Sequence, residues 1–361
     1  AYGRLNYIFD NKYIFEFNGR YDGTSRFPHD DRFVFNPSGS VAWVLSEEKF
    51  FQPLRTIFDR VKIRGSYGQL GNQDVNAYAY MATMAVAQSD LILGGKLPMY
   101  VSAPELVSNN LTWEKVTTAD IGVDLTLFDN RLNFTGDIYR RNTKDMLTLG
   151  EVLPGVLGAN LPKENSADLK TTGFDLTVSW RDQIKLAGKP LEYSLEFNFS
   201  NPTGTLNSYY KGQKIGEIWG LTSDGLYKSD EEAQKGPDQT EILIAPSQYP
   251  TVAGSLKYKD LNNDGKITRG KYTLDDHGDL TVIGNDQIRY RFGATFAANW
   301  SGFDISAFFQ GVMKHNYYPT ASDKIFWGKY SAPWFDQLEG HYFDRWKEDN
   351  PNLDAYWPVL S

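Results

Sequence analysis

Apolar and polar residues alternate with a period of two over most of this chain. From Tyr13 onward, Tyr13, Phe15, Phe17 and Tyr21 fall on one face, while Glu16, Asn18, Arg20 and Asp22 fall on the other. The rhythm returns at Ile121, Val123, Leu125 and Leu127 against Asp120, Asp124 and Thr126, and at Leu132, Phe134 and Ile138 against Asn133, Thr135 and Asp137. It recurs in Phe174, Leu176, Val178 and Trp180, in Tyr193, Leu195, Phe197 and Phe199, and in Tyr290, Phe292 and Phe296. Successive strand side chains point to opposite faces, so the pattern predicts about ten long antiparallel strands, each with one apolar and one polar face. Helical periodicity is scarce.

Two all-β folds fit this alternation. A soluble sandwich hides its apolar faces in a core, whereas a membrane barrel turns them outward to lipid and keeps a wet lumen. Connection length separates them in part. The short connections are 10–12, 128–131, 182–190 and 300–302, with a medium one at 46–60. Between them lie the long connections 23–32, 71–111, 146–168 and 201–287, and everything after Gly311. Loops beyond about 12 to 15 residues are uncommon in compact domains, and a barrel that builds its binding surface on one rim supplies a reason for them. Tyr7, Phe9, Tyr13, Trp43, Phe128, Trp180, Trp300 and Phe303 stand near strand ends, as an interfacial girdle would, although aromatic residues favour strands in general.

Composition narrows the function classes. A net charge of −8 from 37 basic and 45 acidic residues disfavours a nucleic-acid partner that needs a basic footprint. Without cysteine there is no disulfide, thiol nucleophile or thiolate zinc site. No run of about 18 apolar residues suggests a transmembrane helix, which leaves strands free to span a membrane. The segment 1–9 has no signal-peptide pattern, consistent with a cytosolic chain or with a start lying upstream.

The sharpest chemical motif is Asp260, Asn262, Asp264 and Gly265, the first half of an EF-hand-like loop, with the Lys266 carbonyl as a fourth oxygen. The twelfth position is Lys271, which cannot ligate, and an Asx-rich surface turn would use the same residues. GKITRGK at 265–271 mimics a phosphate loop but places Tyr272 where Ser or Thr must hold Mg²⁺, and it lacks a strand-to-helix setting. The four histidines, His29, His277, His315 and His341, are scattered. Carboxylate pairs such as Glu47 with Glu48 or Asp275 with Asp276 do not establish the spacing that glycoside hydrolysis requires. No set of nucleophile, base and orienting group can be assembled, so no enzymatic activity is expected. Trp219 with Tyr227, and Tyr317, Tyr318, Trp327 and Trp334, cluster in loop regions, where flat rings stack on sugars, anchor an interface, or pack the loop on itself.

Several segments in order resemble the SusC/RagA type of TonB-dependent outer-membrane transporter. They include RLNYIFDNKYIFEFNGRYDGTSRF (4–27), FNPSGSVAWVLSEEKFF (35–51), VKIRGSYGQLGNQ (61–73) and LTWEKVTTADIGVDLTLFDNRL (111–132). TTGFDLTVSW (171–180), GEIWGLTSDGLYKS (216–229), KYKDLNNDGKI (257–267), VIGN (282–285) and GFDISAFFQGV (302–312) follow. The resemblance implies that residues 1–361 form about ten strands of a larger 22-stranded transmembrane barrel, with the plug domain and last strands outside this chain. It implies long extracellular loops, chiefly 201–287 with its Asp-rich stretch 260–279, and it casts Asp279 as the closing acid of a structural Ca²⁺ site. It further implies import of an oligosaccharide or peptide across a Bacteroidota-like outer membrane. A SusD-like surface lipoprotein would serve as lid, and the TonB complex would supply energy through an absent N-terminal region. Dimers of transporter–lid pairs are compatible with it. The competing reading from the residues alone is a soluble carbohydrate-binding or glycoside-hydrolase module.

Overall fold

A computed structural model of the protein describes all residues except 105, 109–110, 150–162, 207–211, 244–246, 248–249, 272, 321–322, 331–334, 336–337 and 361. The strands in chain order are β1 (Tyr2–Phe9), β2 (Tyr13–Gly23), β3 (Phe33–Val44), β4 (Phe58–Asn72), β5 (Val86–Gln88), β6 (Met99–Val101), β7 (Glu114–Leu127), β8 (Leu132–Leu149) and β9 (Lys163–Leu186). They continue with β10 (Lys189–Ser200), β11 (Thr203–Leu206), β12 (Glu217–Leu221), β13 (Ser223–Leu226), β14 (Leu256–Tyr258), β15 (Leu280–Asn285), β16 (Arg289–Trp300) and β17 (Phe303–Lys314). Two compact units result: 1–214 with 289–314, and 215–288 with 315–361.

The first unit is one antiparallel sheet with the order β1-β2-β3-β4-β7-β8-β9-β10-β16-β17, and β11 extends the ladder on β9. The sheet does not close on itself. Its short turns use left-handed backbone: Asp10 and Asn11 join β1 to β2, Ala187 and Gly188 join β9 to β10, and Ser301 and Gly302 join β16 to β17. Paired positive φ values match the right-handed twist of the flanking strands, which is why such turns hold a two-strand register. The turn expected at 182–190 therefore shrinks to two residues. The strand expected to begin near 168 starts instead at Lys163, where Lys163↔Leu149 and Glu164↔Thr148 extend the ladder past a bulge at Met146.

The two faces of this sheet differ as the alternation predicts, and the apolar face is open. Ile121 and Ile138, paired across the centre of β7 and β8, are 69% and 73% exposed. Tyr7, Phe15, Phe17, Val41 and Ile63 are exposed as well. A sandwich would bury these residues under a second sheet, whereas hydrocarbon-facing strands leave them uncovered by protein. Rings gather near the strand ends, with Tyr13 stacked on Trp43 and Phe9 at 6.4 Å each, Tyr21 on Phe33 at 5.4 Å and Phe128 against Trp180 at 6.4 Å. The dry cluster of this unit is small and lies beside the long connections: Phe27, Val34, Val75, Leu111 and Trp113.

The second unit carries the hairpin-like pairs β12–β15 and β13–β14 and a helix, Asp230–Lys235. The span expected to be one long loop at 201–287 thus divides at 215, because Thr203–Leu206 belongs to the sheet of the first unit. Tyr227, Ile267, Leu280 and Trp346 form buried positions of this second unit.

Candidate functional site

The polar face of the large sheet carries two hydrogen-bonded networks. In the first, the Arg64 guanidinium on β4 meets Asp137 at 2.6 Å, Asp124 at 3.4 Å and Asp120 at 3.5 Å, and Lys62 meets Asp124 at 2.8 Å. Register brings them together, since Arg64 pairs with Gly122, Gly122 with Asp137, and Asp137 with Asp175. Gly122 keeps the centre open: a Cβ there would collide with Asp137 Oδ1 and the Arg64 guanidinium. Four carboxylates, Asp120, Asp124, Asp137 and Asp175, face two cations in this lattice, giving the local surface an acidic character. Partial burial makes such pairs stronger than solvent-exposed ones and anchors the wall's register.

In the second network Glu16 receives Arg4 at 2.6 Å, Asn18 at 2.9 Å and Asn6 at 3.2 Å. Beside it, Arg20 and Asn36 both donate to Asp22, at 2.7 and 2.6 Å. The alternation identified Glu16, Asn18, Arg20, Asp22, Asp120, Asp124 and Asp137 as polar-face positions; it did not reveal which would meet. Sequence reasoning missed Arg64, Asp137 and Asn36 as members of one surface, and only their shared strand parity hinted at it.

Within the second unit, the loop that begins at Asp260 is held by its own carboxylates. Asp260 accepts from the Asp264 and Gly265 amides at 3.3 and 2.8 Å, and Asp264 accepts from the Lys266 amide and the Asn262 side chain at 2.8 and 2.9 Å. Gly265 has φ +80° with nothing within 4 Å of an added Cβ, so glycine is needed there for backbone conformation and not for space. Asp279 is fully buried and accepts from the Leu261 and Thr268 amides, each at 2.8 Å, joining the two ends of the loop. The atoms that could ligate a metal here, the Asp260, Asn262, Asp264 and Asp279 side-chain oxygens and the Lys266 carbonyl, are all oxygen, which suits a hard cation. Among the described residues, however, no three His, Asp or Glu side chains converge to hold a metal ion. The loop already has the hydrogen bonds of a self-capped Asx turn.

The expected aromatic contacts occupy different environments. Tyr227 is fully buried, with Lys257 Nζ 5.9 Å from its ring, so it packs the unit's interior and is corrected from a contact residue to a core residue. Trp219 lies half-buried on β12 against His277 at 5.8 Å. Tyr317 and Tyr318 are exposed, and the Tyr317 hydroxyl donates to Asp323 at 2.9 Å. Trp327 donates to the Thr320 carbonyl at 2.8 Å and joins Phe326, Tyr330, His341 and Trp357 in a ring cluster. Trp334 lies outside the described residues.

Glu232 and Asp323 of this unit are held below the ordinary carboxylate range. For Glu232 the cause is first the Lys228 backbone N–H and then the Lys257 ammonium; for Asp323 it is first the Phe326 backbone N–H and then the Tyr317 hydroxyl. Each also fixes the start of a helix. Ser229 caps Asp230–Lys235 by accepting from the Glu232 amide while Glu232 reaches back to the Lys228 amide, and Asp323 caps Lys324–Trp327.

An open sheet with an uncovered apolar face, a charged opposite face and long connections defines a transmembrane β-barrel segment. The chain belongs to the family described as TonB dependent receptor-like, beta-barrel, whose model matches residues 1–323. It is similar to TonB-dependent receptor P26 of Formosa agariphila, 27% identical over 371 residues, covering 98% of this chain and 35% of that protein. TonB-dependent receptor SusC of Bacteroides thetaiotaomicron is 24% identical over 336 residues, covering 90% and 32%. The solved structure of the RagAB peptide transporter superposes with a TM-score of 0.72 at 20% identity, covering 100% of this chain and 38% of that one. The chain thus spans about a third of the length of the curated relatives it matches, and it is SusC/RagA-like in sequence and fold.

Proposed function

We infer that this chain forms wall and loops of an outer-membrane importer of oligosaccharides or peptides. The observation that carries the reading is the inverted polarity of the sheet: an exposed apolar face for lipid, and a hydrogen-bonding face for a wet lumen. Catalysis plays no part in it. Transport would be driven by TonB through regions outside this chain, and a SusD-like lipoprotein would close over the outer loops. The similarity to SusC and to the RagAB transporter supports both partners, as well as a Bacteroidota-like host. Calcium belongs to the same reading as a structural ion of the loop, through Asp260, Asn262, Asp264, the Lys266 carbonyl and Asp279.

The test is uptake by the native host. Deletion of the gene should abolish growth on one class of oligosaccharide or peptide, and restoration should require an intact proton gradient. Affinity purification of the tagged transporter should bring down one surface lipoprotein. Growth of the deletion strain on every polymer tested, with no lipoprotein recovered, would refute the proposal. Turnover of a glycan by the purified transporter alone would refute its non-enzymatic part.

A further inference from the structure

The connection between β3 and β4 lies at the short-turn end of the sheet and folds as two 3₁₀ turns, Leu45–Glu47 and Lys49–Leu54. Both of its ends are tied to neighbouring turns. The Val44 amide donates to the Lys12 carbonyl at 2.8 Å, and the Ile57 carbonyl accepts from the Phe128 amide at 3.1 Å. Between them Glu48 accepts from the Tyr13 hydroxyl at 2.7 Å and from the Trp43 indole at 3.1 Å, while Arg55 Nε donates to the Ser46 carbonyl at 2.7 Å. The connection is therefore a held element and not a slack loop.

Its polarity is inverted. Ser46 is fully buried, whereas Phe50, Leu54 and Ile57 are 64%, 48% and 46% exposed. Phe51 alone of its large apolar side chains is buried, with its ring 6.1 Å from that of Phe58. Phe58 pairs with Leu127 and Trp43 with Ile63, which places both on the open apolar face of the sheet. The Trp43 ring in turn meets Phe50 edge-on at 6.4 Å. Residues 45–57 thus pack on the rim of the apolar face, and their own exposed side chains continue that face past the last residues of the strands.

Continuity with the lipid-facing wall identifies what covers these side chains. In water, three bare apolar groups on a held turn have no favourable partner. At the boundary between acyl chains and headgroups, an aromatic ring and branched aliphatic chains are buried while polar neighbours such as Gln52 and Thr56 stay wet. Lys49, exposed beside Phe50, has the reach to meet a headgroup phosphate from the same level. Short turns lie on the periplasmic side of an outer-membrane barrel, so the lipid is that of the periplasmic leaflet.

We propose that residues 45–57 are an interfacial lipid anchor, in which Phe50, Leu54 and Ile57 seat among phospholipid acyl chains of the periplasmic leaflet and Glu48, through Tyr13 and Trp43, holds them at that depth. Such an anchor fixes the height of the wall in the membrane. The inference depends on the barrel wall and not on the cargo it admits.

The test measures depth in the full-length transporter. Residues 1–361 contain no cysteine, so Phe50→Cys, Leu54→Cys and Ile57→Cys each accept one nitroxide label once any cysteine elsewhere in the polypeptide is replaced by serine. The labelled proteins are reconstituted in phosphatidylethanolamine–phosphatidylglycerol vesicles, with Ile121→Cys as the wall reference and Gln52→Cys as the wet neighbour. Power saturation with oxygen and with a nickel chelate then reads each position. Oxygen should dominate at 50, 54 and 57, at a depth of about 5–10 Å, and nickel should dominate at 52. Each label reports independently, so a variant that fails to fold leaves two. Nickel dominance at the folded stripe variants, with oxygen dominance at 121, overturns the anchor and leaves the wall intact. Immobilised labels shielded from both reagents overturn it as well, since a protein partner then covers the stripe. Nickel dominance at 121 overturns the facing of the wall itself. Glu48→Ala should raise nickel access at position 54 several-fold, and Glu48→Gln, which keeps an acceptor for Tyr13 and Trp43, should restore the depth; equal depth in all three backgrounds overturns the role of Glu48.

Discussion

The facing of the wall makes a quantitative prediction at Ile121. This residue is the eighth of the 14 in β7, whose pairing partner Ile138 is also on the open face. At a rise of about 3.3 Å per residue and a tilt of about 40°, a strand of this length spans about 35 Å along the membrane normal, so Ile121 falls within a few Å of the midplane. Arginine at the midplane of a barrel wall costs about 2–4 kcal/mol, a factor of roughly 30 to 1,000 in the folding equilibrium. Ile121→Arg and Ile138→Arg should each show that loss. Ser66→Arg is the control, since Ser66 stands on the polar face opposite Asp120 and gains a carboxylate neighbour; its cost should be close to zero. Guanidinium titration of the full-length transporter refolded into short-chain phosphatidylcholine vesicles, followed by tryptophan fluorescence, reads the difference directly. Equal stability of all three variants and wild type, or a penalty confined to Ser66→Arg, would show that the faces are assigned the wrong way round.

Other perturbations probe other contacts. Gly122→Ala should cost about 1–3 kcal/mol, because the new Cβ has no room between Asp137 and Arg64; the same titration checks it, and no change would mean that the lattice is loose. Asp279→Ala should raise protease sensitivity and hydrogen exchange at Leu261 and Thr268, since two amides lose their acceptor at about 1–3 kcal/mol each. Calorimetric titration with CaCl₂ should show one site that Asp264→Ala removes, and a flat trace would assign the loop to its own hydrogen bonds alone. Asp323 and Glu232 have depressed folded-state pKa values, so the stability they contribute is fully present above their unfolded values near about 4 and is lost as pH falls through the folded values. Hydrogen exchange of Lys324–Trp327 should accordingly be unchanged from pH 7 to 5, once corrected for intrinsic rates, and should rise below about pH 4, a rise that Asp323→Asn should eliminate.

What the sequence could reveal follows from how local the determining interaction is. Strand faces depend on period two, which lies within a few residues, so Tyr13 to Tyr21 and Ile121 to Leu127 could be assigned from the sequence. Strand ends depend on a partner: 163–167 reads as a polar loop until Leu149 and Met146 are seen to pair with it. Tyr227 lies in a stretch with no periodic neighbour, and nothing local distinguishes a ring that stacks on ligand from one that fills the interior. The polar networks lie further still from local reach. Arg64 and Asp137 are 73 residues apart and meet through two successive strand registers, either of which, shifted by one residue, would send its strand's side chains to the opposite face. Asn36 shows the same limit at closer range: alternation marks it as polar, as it does Ser38 and Ser40. Its significance arises from the register that sets Asn36 opposite Arg20, close enough to Asp22 for that carboxylate to take its amide nitrogen and leave its oxygen without a donor. Strand facing is thus written in the chemistry of neighbouring residues, whereas the polar networks are written in pairings between strands.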